Sequence, residues 1–461
     1  MSINNEYSDY KNYDKYNEYT SLLKGEKRRK KYSIGCFLSW GVFGLCAAFM
    51  LFAYTWHFIN SFNDANFQSK LSYTYPNSDV DLTVTYSSLE NYSNNYIELE
   101  NTLYPDREPF IINGKTTSFE TVPTVKRYIH RVNFSNLNYS SIYKYKINLG
   151  PYNSPVFTFT TPIKNKSEWN VLIYGDMGLI GDTTITYIID RIRSSPTDFF
   201  IHLGDIAYDM HEDFGFVGDK YLENMQAASS IIPYMTVAGN HENYNNFSNY
   251  YNRFTMPDRE KNHNLWYSLD KPPIKFINMN SESYYYSFQE PTIKNLVDFL
   301  NKTLIELDRK VFPWVIVSAH RPMYCSSNNT DDCTKWKSDK IRNNLEDLFY
   351  KHNVTIYMSA HEHSYERICP IYNGTCQENS FKNTTFYLNK LENPIHIVNG
   401  GSGNHEGNSG FINKTEYWSI IRNRDKSYGV LYANYSYLNW TEYGIENNGE
   451  KIIDYIDIIK N

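Results

Sequence analysis

Runs of apolar and polar residues divide the chain into segments of different periodicity. From residue 169 onward, short apolar runs alternate with segments in which apolar residues recur every three or four positions. The first pattern is typical of buried strands and the second of amphipathic helices. Strands are predicted at 170–174, 199–203, 234–237, 314–317 and 354–358, and helices around 185–192, 221–228, 293–304 and 341–348. This alternation predicts an α/β domain over residues 168–461 with a largely parallel core.

Residues 70–162 show a different pattern, with alternating runs and turn residues but no helical periodicity. The runs lie at 80–86, 124–134, 141–149 and 156–161. A period of two is typical of strands that bury one face. The segment therefore predicts a β-sandwich of about 90 residues. It contains no cluster of chemically active side chains, so we expect it to have a structural or docking role.

The first 59 residues combine a polar segment with an apolar one. Residues 1–33 are polar and include the basic cluster 27–31, whereas 34–59 contain no Asp, Glu, Lys or Arg. About 20 apolar residues span a bilayer as a helix, and a cleaved signal peptide has a shorter apolar region. We therefore expect a disordered cytosolic tail at 1–33 and a retained transmembrane anchor at 34–59. Basic residues favour the cytosolic side, which predicts a single-pass type II membrane protein with a lumenal or extracellular body.

The net charge and the cysteine content argue against some classes of protein and kinds of site. The chain has 45 basic and 51 acidic residues and a net charge of −6, which argues against a nucleic-acid-binding protein. Four of the six cysteines form two close pairs after the predicted anchor, Cys325/Cys333 and Cys369/Cys376. Such short loops can be bridged in an oxidising compartment, whereas the spacings do not suit the alternative of a Cys-rich metal site.

Two further patterns agree with a lumenal body. Asn-x-Ser/Thr sequons, for example at Asn91 and Asn138, are compatible with glycosylation. In the tail, residues 18–23 resemble tyrosine-based and acidic-dileucine sorting signals, which would suit an endo-lysosomal location. Both patterns also arise by chance in a chain of this composition.

Potential metal-binding side chains follow each of the five predicted strands of the α/β domain. Carboxyl ends of parallel strands lie at one edge of a sheet, so these side chains are expected to converge. The donor atoms are oxygen and nitrogen without thiolate, which suits a pair of hard or borderline cations rather than structural zinc. The motifs are Gly-Asp-Met-Gly at 175–178, Gly-Asp-Ile-Ala-Tyr at 204–208, Gly-Asn-His-Glu at 239–242, Ala-His-Arg-Pro at 319–322 and Ala-His-Glu-His at 360–363.

These five motifs, in this order, resemble those of the metallophosphoesterase superfamily, and within it the purple acid phosphatases. The distinguishing feature is the combination of Asp176-x-Gly178 with Asp205-x-x-Tyr208. Other metallophosphoesterases have a histidine at the position of Gly178 and do not need the tyrosine. The resemblance covers about residues 70–460 and implies a fibronectin type III-like sandwich followed by an α/β metallophosphoesterase domain, as in the large plant and animal enzymes.

The resemblance also implies a role for each motif residue. A ferric ion would be held by Asp176, Tyr208 and His363. A second, divalent ion (iron, zinc or manganese) would be held by Asn240, His320 and His361, with Asp205 bridging the two. The substrate phosphate would be contacted by Asn240 and by His241, which would be the catalytic residue. A metal-bound hydroxide would attack a phosphate monoester, and ferric tyrosinate would absorb visible light.

Two departures from the family pattern affect this reading. The last motif begins with Ala360, where the family usually has glycine. Residues 325–333 lack the additional histidines of the plant enzymes, so the general acid is left open between His241, the first candidate, and Glu242 or His263. Alternative functions are a phosphodiesterase or nucleotide pyrophosphatase with the same metals, and an inactive receptor or adhesion ectodomain. An inactive site is not expected to keep all seven ligands.

Overall fold

The structure is a computed structural model, and it describes a defined part of the chain. The described residues are 67–179, 183–328, 333, 337–377, 384–413, 416–446 and 449–460. The predicted tail (1–33) and the predicted membrane anchor (34–59) lie outside these ranges. Among the helices within the described ranges, none has the length and apolar character needed to cross a membrane.

The N-terminal part of the described chain consists of two antiparallel sheets. Its strands are β1 (Lys70–Tyr73), β2 (Leu82–Ser88), β3 (Asn95–Asn101), β4 (Phe110–Asn113), β5 (Lys115–Val122), β6 (Val125–Phe134), β7 (Ile142–Leu149), β8 (Tyr152–Asn153) and β9 (Phe157–Thr160). One sheet has the order β1-β2-β6-β5, and the other has the order β4-β3-β7-β8 with β9 on β7. Val84, Ile97, Val132 and Ile147 are fully buried, as expected for the inner faces of a sandwich. The assignment of this sandwich as fibronectin type III-like stays a prediction.

The second part alternates strands and helices before it ends in antiparallel strands. Its helices are α1 (Thr183–Ser194), α2 (Phe216–Ser229), α3 (Tyr244–Arg253), α4 (Arg259–Asn262), α5 (Glu290–Ile305) and α6 (Lys337–Lys351). Its first strands are β10 (Trp169–Tyr174), β11 (Phe199–His202), β12 (Tyr234–Thr236), β13 (Trp266–Lys271), β14 (Ile274–Met279), β15 (Trp314–Ser318), β16 (Ile356–Ser359) and β17 (Tyr365–Ile368). The remaining strands are β18 (Ile371–Tyr372), β19 (Thr375–Cys376), β20 (Thr385–Tyr387), β21 (Ile395–Asn399), β22 (Ser419–Asn423), β23 (Lys426–Ala433), β24 (Tyr437–Glu446) and β25 (Gly449–Ile459).

These strands form two seven-stranded mixed sheets. The orders are β12-β11-β10-β23-β24-β25-β20 and β13-β14-β15-β16-β21-β17-β22. Strands β10 to β12 are parallel to one another, as are β14, β15, β16 and β21. The predicted parallel core was therefore right for one half of the first sheet and for the centre of the second. It was incomplete for the rest, because β23, β24 and β25 follow one another with short connections and pair antiparallel.

Both faces of the central strands are covered, which explains their uninterrupted apolar sequences. In β15, Val315 and Val317 pack with residues of α5 and α6, whereas Ile316 belongs to the core that contains the other sheet. All three are fully buried. Strands buried on both faces lose the polar alternation of exposed sheets. The loops that follow β10, β11, β12, β15 and β16 carry the five motifs.

The sandwich contacts the α/β part through a buried ionic cluster. Arg127 of β6 donates from Nε to Asp219 Oδ2 of α2 at 2.9 Å, and Arg253 of α3 donates to Oδ1 of the same carboxylate at 2.5 Å. All three residues are almost fully buried. Helices α2 and α3 follow the loops that carry Asp205 and His241, so this cluster links the sandwich to two elements beside the motif residues.

Candidate metal centre

The backbone takes an unusual conformation at several of the predicted ligands. Asp176, Asp205, Tyr208 and His361 have φ values of 57°, 51°, 48° and 69°. Positive φ is uncommon for residues other than glycine, and such positions concentrate at functional sites. The four residues lie in the loops that follow β10, β11 and β16, within six residues of the strand ends. The strained backbone at these four positions therefore indicates that the loops have a functional role.

Asp176, Tyr208 and His363 form a first group of donor atoms. The hydroxyl of Tyr208 donates to Asp176 Oδ1 at 3.0 Å and lies 2.9 Å from His363 Nε2, which is 3.7 Å from Asp176 Oδ1. His363 Nδ1 lies 2.9 Å from the carbonyl oxygen of Gly407. A carbonyl oxygen only accepts, so Nδ1 carries the hydrogen and Nε2 directs its lone pair into the group.

Asn240, His320 and His361 form a second group. His320 Nε2 lies 3.1 Å from Asn240 Oδ1 and 3.2 Å from His361 Nδ1. His320 Nδ1 donates to the carbonyl oxygen of Leu203 at 2.8 Å, so Nε2 is the nitrogen that would offer a lone pair to a cation. An amide oxygen and imidazole nitrogens therefore lie close together, as they do around a bound cation.

Asp205 contacts the second group directly, and its negative charge raises the pKa of Asp176 and Tyr208 in the first group. Its Oδ2 lies 3.2 Å from His320 Nε2, and its Oδ1 accepts the backbone N–H of His241 at 2.9 Å. Donor atoms of Asp205, His320 and His361 all lie within 4.8 Å of one another. The structure thus places Asp176, Tyr208 and His363 in one cluster and Asn240, His320, His361 and Asp205 in another, and their role as metal ligands stays a prediction.

The charges in this region shift several pKa values. Burial raises the pKa of Asp176 and of Tyr208 well above their ordinary values, and the negative charge of Asp205 adds to both shifts. Burial opposes the ionisation of Asp205, but His320 and His241 outweigh it and hold the pKa of Asp205 well below its usual range. Burial likewise lowers the pKa of His320, but Asp205 outweighs it and raises that pKa to about 10. Buried carboxylate, phenol and imidazole groups that can all lose a proton thus lie side by side, and this donor set fits a metal pair.

His241 lies beside both groups and is partly open to solvent, with a side chain 19% exposed. Its Nδ1 is 3.1 Å from Asp209 Oδ1, and its Nε2 is 3.7 Å from Glu406 Oε1 and 3.9 Å from Asp205 Oδ2. Its ring packs on that of Tyr208 with the centroids 4.2 Å apart. Burial lowers the pKa of His241, but these carboxylates outweigh it and raise the pKa to about 10. A protonated imidazole here can donate to a phosphate or leaving-group oxygen.

The other two candidates for the general acid have different surroundings. Glu242 is buried, and its carboxylate accepts the backbone N–H groups of Asp205, Ile206 and Gly239 at 2.8–2.9 Å. It therefore holds two motif loops together. His263 is exposed and packs on the ring of Tyr251 at 4.7 Å between centroids.

Sequence reasoning missed three residues that contact the candidate ligands. Asn404 donates to the hydroxyl of Tyr208 at 2.8 Å, and Glu406 Oε2 lies 4.0 Å from His363 Nε2. Both belong to the loop 400–407, whose glycines directly follow the buried strand β21. That pattern of glycine and polar residues after a buried strand was the available signal. The third residue, Asp209, adjoins Tyr208 and had no separate signal.

The four cysteines of the described residues are joined as predicted. Disulfides connect Cys325 to Cys333 and Cys369 to Cys376. Sulfur atoms in a disulfide are not available as thiolate ligands. These pairings exclude the alternative of a metal site built from these cysteines.

Comparison with known proteins identifies the family to which the chain belongs. The calcineurin-like phosphoesterase family matches residues 170–365, and the family described as iron/zinc purple acid phosphatase-like protein C matches residues 393–455. Acid phosphatase type 7 of Mus musculus is 34% identical over 367 residues, which cover 76% of this chain and 82% of the mouse protein. The corresponding protein of Homo sapiens is 33% identical over 348 residues, covering 73% and 78%.

The three-dimensional comparison agrees on the fold. The structure of a purple acid phosphatase from yellow lupin (Lupinus luteus) seeds superimposes with a TM-score of 0.71 at 24% identity, covering 86% of this chain and 74% of the lupin chain. This chain belongs to the purple acid phosphatase family of calcineurin-like metallophosphoesterases, a family of dinuclear-metal phosphoesterases.

Proposed function

We propose that this chain is an acid phosphatase that hydrolyses phosphate monoesters at a pair of metal ions. One observation carries the proposal: two groups of three donor side chains adjoin each other where the backbone N–H of His361 donates to Asp176 Oδ2 at 2.7 Å, with Asp205 beside the second group. A site that had lost its chemistry would not need to retain lone pairs from all seven side chains in one place. The alternative of an inactive ectodomain is therefore disfavoured.

The two groups differ in the ions that they suit. Phenol and carboxylate oxygens of Tyr208 and Asp176, with His363, would hold a ferric ion. The imidazole-rich second group of Asn240, His320 and His361 would hold a divalent iron, zinc or manganese ion. Asp205 would bridge the two. When bound, the ions would supply Lewis acidity that activates water and neutralises phosphate charge, also at acid pH.

Residues of the chain itself would bind the substrate and move a proton. Asn240 and His241 are proposed to contact the phosphate. Asp209 accepts from Nδ1 of His241 at 3.1 Å and so orients the ring with Nε2 towards the donor groups. His241 would then donate a proton from Nε2 to the leaving oxygen, and Asp209 would stabilise the charged ring before the transfer.

We also propose that this body faces the lumen or the cell exterior, tethered by a helix at 34–59 as a single-pass type II membrane protein. The two disulfides support this placement, because disulfides persist in oxidising compartments. An endo-lysosomal location would suit an enzyme that works at acid pH. Protease treatment of sealed vesicles tests the topology: the described residues should be protected, and their digestion from outside would reverse it.

The activity is tested on the purified full-length chain by elemental analysis, a visible spectrum and hydrolysis assays at about pH 5. We expect about two metal ions per chain, visible absorption, and faster hydrolysis of p-nitrophenyl phosphate than of bis(p-nitrophenyl) phosphate. His320→Ala is the control and should lose both an ion and the activity. Preference for the diester would replace the proposal with a phosphodiesterase, and two bound ions without hydrolysis of either ester would refute it.

A further inference from the structure

One stretch of chain, residues 407–412, holds both the ring and the backbone of His363. Nδ1 of the ring donates to the carbonyl oxygen of Gly407 at 2.9 Å. The backbone N–H of His363 donates to Ser409 Oγ at 2.9 Å, and the backbone N–H of Ser409 donates to the carbonyl oxygen of His363 at 3.0 Å. With the hydrogen on Nδ1, the lone pair of Nε2 faces the hydroxyl group of Tyr208, 2.9 Å away. Segment 407–412 therefore sets the direction in which His363 offers a donor atom to the first group.

Segment 407–412 is in turn paired with residues 326–328, which lie about 80 positions earlier in the chain. Three contacts join the two backbones, and they are the N–H of Asn328 to the carbonyl of Gly410 at 2.9 Å, the N–H of Ile412 to the carbonyl of Ser326 at 3.1 Å, and an antiparallel bridge between Ser327 and Phe411. The two segments thus form a short two-stranded ladder. A shift of segment 326–328 would be passed through this ladder to the residues that hold His363.

Segment 326–328 begins next to a disulfide. Cys325 directly precedes the segment and is bonded to Cys333, which holds the two Cα atoms 5.0 Å apart. Cys325 and the two residues that follow it are buried. A disulfide restricts the separation and the direction of the two chain positions that it joins. The first residue of the ladder is therefore fixed covalently.

A buried carboxylate attaches the same segment to the loop of His363. The hydroxyl of Ser327 donates to Oε2 of Glu362, which directly precedes His363. Glu362 is buried, and a buried carboxylate is costly unless its oxygens accept hydrogen bonds. Segment 326–328 therefore contacts the loop of His363 on one side and segment 407–412 on the other.

We propose that the Cys325–Cys333 disulfide positions His363 for the first group of donor atoms. The cross-link keeps segment 326–328 paired with segment 407–412, and the latter fixes the imidazole. The disulfide acts through these residues and does not itself supply a ligand. The inference rests on the proposed function in one respect, the binding of an ion by the first group.

Loss of the cross-link should weaken the hold on the imidazole without removing any donor atom. If the carbonyl of Gly407 moves away, Nδ1 loses its acceptor and the ring can turn about its second side-chain torsion, which has broad minima. Nε2 would then turn away from Tyr208. The second group has a support of its own, because His320 donates to the carbonyl oxygen of Leu203. The two halves of the centre should therefore respond differently to loss of the disulfide.

The test compares the retention of iron by the full-length chain and by its Cys325→Ser/Cys333→Ser variant. Both proteins are loaded with iron and zinc and dialysed against increasing concentrations of EDTA, with elemental analysis and a visible spectrum at each step. The variant should lose iron and its visible absorption at an EDTA concentration about 10–100-fold lower, as when other partners of metal-binding histidines are removed. Zinc retention should change less than iron retention. Iron returned as ferric citrate should restore the absorption, which would not occur in a misfolded protein.

Cys369→Ser/Cys376→Ser is the matched control. The two cysteines are 7 positions apart, against 8 for the first pair, so the two cross-links restrict the unfolded chain to a similar extent. The hairpin that this disulfide closes donates to Tyr324 and Glu346 at 3.0 and 3.1 Å, and neither is a candidate ligand. This variant should lose a similar part of its resistance to urea but retain iron as the wild type does.

Ser409→Ala is a second variant, and it leaves both disulfides in place. It removes the oxygen that accepts the backbone N–H of His363 and should lower iron retention to a smaller extent. If the Cys325→Ser/Cys333→Ser variant does not fold, Ser409→Ala decides the question, and wild-type iron retention in it would overturn the inference.

Two other results would also overturn the inference. One is wild-type iron retention in a folded Cys325→Ser/Cys333→Ser variant, and the other is an equal loss of iron in both disulfide variants. A wild-type chain that binds two ions without hydrolysing esters would refute the proposed function and leave this inference intact.

Discussion

The methyl group of Ala360 lies in the space that a side chain at residue 175 would require. A Cβ built on Gly175 would lie 2.4 Å from the Cβ of Ala360, which is closer than two such atoms approach in proteins. Gly175 precedes Asp176 and Ala360 precedes His361, so this contact lies directly beneath two candidate ligands. Ala360 stands where the family usually has glycine, and its methyl group fits because residue 175, at the start of the first motif, is glycine.

This contact predicts a compensating pair of substitutions. Gly175→Ala should destabilise the protein by about 1–3 kcal/mol through overpacking and should lower metal content, because strands β10 and β16 would be pushed apart. Ala360→Gly alone should cost about 1 kcal/mol or less. The double variant should recover most of the loss in urea unfolding and in elemental analysis. Equal loss in the single and double variants would show that Leu203, whose Cβ would lie 3.2 Å away, limits the space instead.

Tyr208→Phe should remove the visible absorption of the metal-loaded chain. The substitution keeps the ring that packs on His241 but removes the oxygen that lies 3.0 Å from Asp176 and 2.9 Å from His363. Tyr221→Phe is the control, since Tyr221 is a fully buried tyrosine whose hydroxyl contacts His202 rather than a candidate ligand. Persistence of the band in Tyr208→Phe would assign the chromophore to another residue.

His241→Ala should lower turnover about 100-fold or more with both ions retained, because proton donation to the leaving oxygen is lost. Asp209→Asn should have a smaller effect in the same direction, since the ring stays but its charged partner is removed. Turnover of p-nitrophenyl phosphate and elemental analysis measure the two quantities separately. Loss of an ion from His241→Ala would instead place His241 among the ligands.

The ionic cluster between the sandwich and the α/β part should give a pH-dependent contribution to stability. Burial would raise the pKa of Asp219, but Arg253 and Arg127 outweigh it and hold the pKa below its ordinary value. A carboxylate of this kind stabilises the folded state fully above the ordinary pKa of about 4. That stabilisation disappears as the pH falls through the lower pKa of the folded state.

Arg127→Met should therefore lower the free energy of unfolding by about 1–3 kcal/mol at pH 7, and the difference from the wild type should shrink below about pH 4. Urea unfolding over a range of pH measures it. Arg131→Met is the control, because Arg131 lies on the same strand but donates to Thr255, Thr117 and the carbonyl of Asn252. If Arg127→Met lowers the free energy of unfolding by the same amount at every pH, the loss comes from packing and not from the charge of Arg127.

The central strands could be predicted because burial on both faces leaves continuous apolar runs, as in Trp314–Ser318. Strand β5 escaped prediction for the opposite reason. Most positions of β5 are exposed or half-buried and polar, and only Phe119 and Thr121 are buried. Such a strand exists because its backbone pairs with β6, and its own sequence carries little sign of that pairing.

The seven candidate ligands were predictable because each stands in a short motif directly after a strand. Asp209, Asn404 and Glu406 were not, because their contacts with the candidate site residues join loops that are remote in sequence. Glu406 lies near His241, which is 165 positions earlier in the chain, and Asn404 donates to Tyr208, which is 196 positions earlier. A charged residue in a loop is ordinary in sequence. Only the fold shows that its neighbour is a candidate ligand.

Arg127 of the sandwich and Arg253 of the α/β part share the carboxylate of Asp219, which affects any attempt to produce the α/β part by itself. A recombinant product beginning near residue 163 would lack Arg127 and would leave Arg253 and Asn249, which now lie against the sandwich, facing water. Water entering this cluster would screen the remaining ion pair between Arg253 and Asp219 and should loosen the helices next to the motif loops. The two halves are best expressed as one piece, with any trimming for crystallisation confined to residues before Asp64.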